Sequence, residues 1–200
     1  MGEGSNPGAA HRHVGDAAPM QMPDELEGRP ILGGVLVLFA FAAVISTVLA
    51  LNQLLNLQLL VGVVFIENRY LFLLAASLFP LIFLIFPARK GDREATPWYD
   101  WLIAAIAFGL LLWFAVAAER ILSEGWEYGA PPIAKVFAAV LWLLILEALR
   151  RTSGWPMAVI VTTISLYPVV ADSIPNPLRG NPQTLSDTLA YHLASAESAF

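Results

Sequence analysis

Four stretches of this chain, residues 31–51, 70–88, 101–118 and 152–171, carry no charge and are long enough to cross a bilayer. As a helix, the first would be roughly 30 Å long, the thickness of a hydrocarbon core. A fifth stretch, 132–149, has charges only near its ends. Hydrophobic residues make up 58% of the 200 and charged residues 14%, more apolar surface than a soluble domain of this size can cover. The expected fold class is all-α: a polytopic membrane helix bundle of five transmembrane helices with interfacial helices, its N-terminus inside.

The sidedness follows from the cations. An inside N-terminus puts Arg12, Arg29, Arg89, Lys90, Arg93, Arg150 and Arg151 on the inner side, and Arg69, Arg120, Lys135 and Arg179 on the outer. The inner set forms tight clusters directly after apolar spans, where the positive-inside bias acts most strongly. The outer loop 119–128 is instead mostly acidic. Trp98, Tyr99 and Trp101 flank the third span and Trp155 opens the fifth, as suits rings anchored at an interface.

The remaining segments are read from their breakers and polarity. Residues 1–30 lack an apolar run and read as a disordered cytoplasmic tail, and a cleaved signal peptide is not expected. Residues 52–68 mix Asn52, Gln53, Asn56 and Gln58 with leucines, which suits a helix in the outer interface or an extension of span one. Pro80 sits mid-span in the second helix and is expected to kink it, whereas Pro156 suits the first turn of span five. Prolines 175, 177 and 182 with Gly180 break the chain before a last periodic stretch, in which Leu185, Leu189, Leu193, Ala196 and Phe200 share one helical face. Ser186 and Asp187 are the expected caps of that helix. The pattern is still running at Phe200, which reads as an interruption.

No catalytic constellation stands out. The absence of cysteine excludes disulfides, thiolate catalysis and cysteine-ligated metals, and a net charge of −5 does not favour nucleic acid. His11 and His13 lie in the tail, and His192 has no second ligand at metal spacing. No cofactor and no metal site is expected. Thr162, Thr163 and Ser165 suit helix–helix or backbone hydrogen bonds better than coordination. Glu147, with Arg150 and Arg151 three and four residues on, reads as an interfacial cluster that fixes orientation or grips a partner. A transport-pathway carboxylate should sit nearer the bilayer middle. Asp100 marks the inner start of span three, Lys135 can snorkel to the outer surface, and Glu67 and Arg69 are placed to pair locally. The topology and interface candidates are therefore Arg89, Lys90, Arg93, Trp98, Asp100, Trp101, Glu147, Arg150 and Arg151.

Three stretches resemble a known family. Phe86-Pro87-Ala88-Arg89-Lys90, followed by Pro97-Trp98-Tyr99-Asp100-Trp101, is similar to the loop between the second and third helices of fused TRAP transporter permeases. Leu146-Glu147-Ala148-Leu149-Arg150-Arg151-Thr152-Ser153-Gly154-Trp155 resembles their fourth-to-fifth helix junction, and Ile66-Glu67-Asn68-Arg69-Tyr70 the opening of helix two. The branch resembled works with TAXI-type periplasmic substrate-binding proteins, and the likeness runs from Arg29 onward.

It implies a tripartite, ion-driven uptake system in a bacterial or archaeal inner membrane, taking up organic acids or similar solutes. Residues 31–151 would be the four-helix small-permease domain, 152–183 a connector helix with its outer loop, and 184–200 the opening of a large permease domain. That large domain, which carries the substrate and sodium sites in the family, would be the partner, fused downstream or separate, together with the binding protein and the bilayer. The family's Glu-Gly step stands here as Glu197-Ser198. No transport residue carries over, so the chain alone is not expected to transport, nor to be an enzyme. Two other readings compete. A structural or assembly subunit of an unrelated membrane complex explains the uncharged spans but not the three ordered motifs. A lipid-acting membrane enzyme would need clustered His, Asp or Glu at one face, and only Glu147 with its arginines approaches that.

Overall fold

The computed structural model describes residues 28–55, 66–92, 94–173, 175, 180 and 183–195. Every regular element among them is helical. Four helices are long and apolar enough to span a membrane: α1 (Gly33–Leu55), α2 (Glu67–Ile85), α3 (Trp98–Ser123) and α5 (Pro132–Ser165). Three shorter ones complete the set: α4 (Trp126–Gly129), α6 (Tyr167–Val170) and α7 (Leu185–Ala194). Segments this apolar can satisfy their backbone groups in lipid only by bonding internally, and a helix does so within one segment.

The local punctuation is chemical. Pro97 precedes α3, and Pro131 and Pro132 open α5, where a missing N–H costs nothing. The α3 helix stops where Gly125 takes the left-handed conformation, at φ 62° and ψ 49°. The α2 helix passes through the buried Pro80 as one helix of 19 residues. Of the interfacial stretch expected over 52–68, residues 52–55 extend α1 and 66–68 lead into α2, while 56–65 lie outside the described residues. So do most of the tail, Arg93, Arg179 and the stretch 196–200.

The 34-residue α5 is not a straight rod. Gly154 stands at φ 81° and ψ 176°, a conformation closed to other residues, and the chain reverses there. Trp142 Nε1–H donates to Ser165 Oγ at 3.1 Å, although residues 142 and 165 of a continuous helix would lie about 35 Å apart. The two limbs, 132–153 and 155–165, therefore run antiparallel. The sequence led to separate spans over 132–149 and 152–171. The observed second limb stops at Ser165, since Pro168 cannot continue an i−4 bond and disfavours a helical Tyr167 before it. The chain proceeds through α6 and a single turn at Ala171–Ser173.

Packing centres on the antiparallel pair of α2 and α3. Ala104, Ala107, Ala115 and Ala118 are buried along α3, and such small side chains let backbones approach closely in lipid. Toward one end, Phe72 stacks on Phe114 at 5.4 Å, and Trp113 packs against Trp126 and Phe137 at 5.9 and 4.8 Å. Toward the other, Leu81, Phe83, Leu84 and Ala148 form a second cluster. The α1 helix leans on α2 through a hydrogen bond shared by Ser46 and Ser77, 2.7 Å between their hydroxyls. Most of its large apolar side chains, Phe41 and Val44 among them, face outward.

At the aromatic end, Arg69 reaches Glu119 on α3 at 3.0 Å and donates Nε–H to the Ala115 carbonyl, instead of the local pairing with Glu67 that the sequence suggested. Glu119 is two-thirds exposed, so Arg69→Ala should lower stability by about 1 kcal/mol or less in detergent unfolding. Lys135 does not simply snorkel: it pairs with Asp187 of α7. Thr184, not Ser186 or Asp187, caps α7: its oxygen accepts from the Asp187 N–H while its own O–H donates to the Asp187 carboxylate. The Lys135 ammonium and then the Thr184 hydroxyl hold the Asp187 carboxyl below its ordinary value. A lowered folded value means stabilisation that is complete above the ordinary Asp value of about 3.9 and fades as the pH drops through the folded value. Hydrogen-exchange protection of α7 should weaken in that acidic window, and Asp187→Asn should flatten the dependence.

Candidate functional site

Five charged side chains meet at the end of the bundle where α2 finishes and α3 begins. Asp100, in the first turn of α3, is wholly buried. Its Oδ2 accepts from Arg29 Nη2 at 2.6 Å and its Oδ1 from Arg151 Nη1 at 2.8 Å. Arg151 also donates Nε–H to Glu147 Oε1 at 2.8 Å. Arg150 grips both Glu147 oxygens at 2.7 Å in a two-pronged pair. Both carboxylates are thus fully engaged, and the guanidinium fork suits such paired acceptance.

The same arginines finish α2. A helix leaves its last four carbonyls unbonded, and here all four are met. The Ile82 carbonyl accepts from the Phe86 N–H at 2.8 Å and that of Ile85 from the Arg29 N–H at 2.7 Å. Arg29 Nη1 donates to the carbonyls of Phe83 and Leu84, at 3.3 and 3.0 Å. Arg151 Nη1 reaches those of Phe83 and Phe86, at 3.4 and 3.2 Å. Two cations thereby sit at the negative end of the α2 dipole and an anion at the positive end of α3. Arg29 Nε closes the set on the Asp92 carbonyl at 2.6 Å, and Arg151 lies over the Phe83 ring at 5.1 Å.

The sequence candidates distribute unevenly over this site. Glu147, Arg150 and Arg151 come together through the helical spacing expected of them. Asp100 does more than mark the start of a span: it is the buried anion that ties α3 to α5 and to the segment before α1. Arg151 turns inward to it, whereas Arg150 stays at the surface beside the Trp155 ring, 5.6 Å from its centroid. Trp98 and Trp101 lie on the same opening turn of α3 with their rings outward, 75% and 43% exposed. Arg89 is exposed, Lys90 begins a one-turn helix ending at Asp92, and Arg93 lies outside the described residues.

Arg29 is the member that sequence reading passed over, counting it only as an inner cation. Its one signal is position: an arginine just ahead of an uncharged span must either reach water or find an anion. The hydroxyls behave as expected, with Thr162 and Thr163 donating to the carbonyls of Ala158 and Val159. His192 meets the Ser165 carbonyl at 2.9 Å. Among the described residues no group of three His, Asp or Glu side chains could hold a metal. Compared with known protein families, curated proteins and solved structures, the chain finds no match.

What the cluster can do is mechanical. Every carboxylate oxygen in it already accepts a charge-assisted hydrogen bond. It locks the Asp100 ends of α2, α3 and α5 to one another and to the segment ahead of α1.

Proposed function

We propose that this chain is the scaffold, or small-permease, part of a TRAP-type ion-coupled transporter in a bacterial or archaeal inner membrane. The coupling ion is sodium, and the solutes are organic acids or similar molecules delivered by a TAXI-type periplasmic binding protein. In this reading the chain crosses five times from an inside N-terminus and braces a large permease domain that performs the transport. One observation carries it. Two of the stretches that bear the family resemblance, the loop around Phe86 and Asp100 and the junction around Glu147 and Arg151, supply nearly all of the ion cluster. A shared structural core is a physical reason for such motifs to occur together.

Sidedness is supported by charge. Arg89 and Lys90 sit at the Asp100 end, while Glu119, Glu124 and Asp187 gather at the opposite end. The fold-back at Gly154 supports the fifth crossing, with residues 155–173 returning toward the Lys135 end. The chain lacks cysteine, so single introduced cysteines give a clean topology test. Gly91→Cys should be shielded from an impermeant reagent applied outside, while Gly129→Cys and Ser173→Cys should react. Protection of Ser173→Cys would remove the fifth crossing, and labelling of Gly91→Cys would reverse the orientation. For the role itself, sodium-driven uptake should require this chain together with the large permease domain. Uptake that survives its deletion would reject the scaffold reading.

A further inference from the structure

The antiparallel limbs of α5 do not close tightly on each other. Between them lies a cleft of about 400 Å³. Leu143 and Leu146 form one wall, Ala158 and Val159 the other. Thr162 and Thr163, deeper in, bond their hydroxyls to their own helix, so they offer the cleft little polarity. The Trp142–Ser165 hydrogen bond ties the limbs together at the far end. At the near end stand Glu147, Arg150 and Trp155.

The charges at that mouth do not balance. Three guanidinium groups, of Arg29, Arg150 and Arg151, meet two carboxylates, of Asp100 and Glu147, which leaves one net positive charge. The surplus lies with Arg29 and Arg151, which share Asp100 beneath the mouth, while Arg150, 24% exposed beside the outward-facing Trp155 ring, holds Glu147 through Nε and Nη2 and keeps Nη1 to donate to a ligand. A positive charge next to an indole is the pattern of a headgroup-level site, and basic pockets between transmembrane helices hold anionic headgroups.

We propose that this cleft binds an anionic phospholipid, its phosphate at Arg150 and one acyl chain between the limbs. The shape favours a lipid over a partner helix. The walls from residue 155 to 163 are about 12 Å long, and a helix about 10 Å across cannot enter a groove tied at one end. A single acyl chain can. The surplus charge favours an anionic lipid over a zwitterionic one, and an apolar cleft favours a lipid over a free anion.

The test is native mass spectrometry of the full chain in micelles holding equal amounts of diacyl phosphatidylglycerol and phosphatidylcholine. Phosphatidylglycerol adducts should exceed phosphatidylcholine adducts by about fivefold. Arg150→Gln should bring the two lipids to parity. Val159→Trp leaves every charge in place and fills the cleft from an exposed position, so it should abolish the retained adduct, and it keeps the test decisive if Arg150→Gln does not fold. Excess inorganic phosphate should leave the adducts unchanged. Equal retention of both lipids by the unaltered chain, or undiminished phosphatidylglycerol on Val159→Trp, would overturn the proposal. Displacement of the lipid by phosphate alone would overturn it in favour of a free-anion site.

Discussion

Asp100→Ala is expected to destabilise the chain by about 3–5 kcal/mol, the cost of stranding buried charge after one partner is removed. Asp100 has no exposed surface, and its two oxygens are shared between Arg29 and Arg151, both almost fully buried. Its loss leaves Arg29 with only carbonyls to face, and Arg151 with carbonyls and a share of Glu147. Those carbonyls end α2, so movement of either arginine also exposes the helix terminus. Thermal unfolding in detergent should show a large drop, with Asp100→Asn intermediate because the amide keeps the shape but loses the charge. Combining Asp100→Ala with Arg29→Ala should cost less than the sum of the two changes, since one removes the orphan created by the other. A loss no larger than that of Arg69→Ala, whose partner Glu119 is exposed, would show the cluster to be energetically idle.

Gly154→Ala comes second. No atom crowds the added Cβ, whose nearest neighbour is Pro156 Cδ at 3.6 Å, so the cost is one of backbone conformation. At φ 81° and ψ 176° that cost is about 1–3 kcal/mol. The alternative open to the variant is to straighten into a continuous helix, against which Pro156 works by clashing with the preceding turn. The Trp142–Ser165 hydrogen bond should break, and a Ser173→Cys reporter in this background should lose its defined sidedness. Unchanged stability and labelling would mean that the limbs are held by packing alone.

The sequence made some of this plain and hid the rest, for physical reasons. Uncharged runs of eighteen residues or more declare membrane helices by themselves, since no other environment accepts them. Glu147, Arg150 and Arg151 were legible because helical spacing alone places them together. The partnership of Asp100 with Arg29 was not, because 71 residues separate them and only the packing of α2 against α3 joins their segments. The pairing of Lys135 with Asp187 was hidden in the same way. Gly154 carried a partial signal: glycine followed closely by proline marks a helix boundary, and the sequence duly suggested two spans there. What it could not give was how sharply the chain reverses, or that Pro168 would end the second limb early. Thr184 was passed over as a cap because two further capping residues, Ser186 and Asp187, follow it after one leucine.

We propose that this chain braces a larger permease and does not itself carry solute. The most direct measurement is quantitative mass spectrometry of what remains with the full chain after gentle extraction from its native membrane. The expected result is a large polytopic permease in equal amount, continuous with this chain or separate from it, released when Asp100→Ala disrupts the scaffold. A chain that leaves the membrane stable and with no such protein would contradict it.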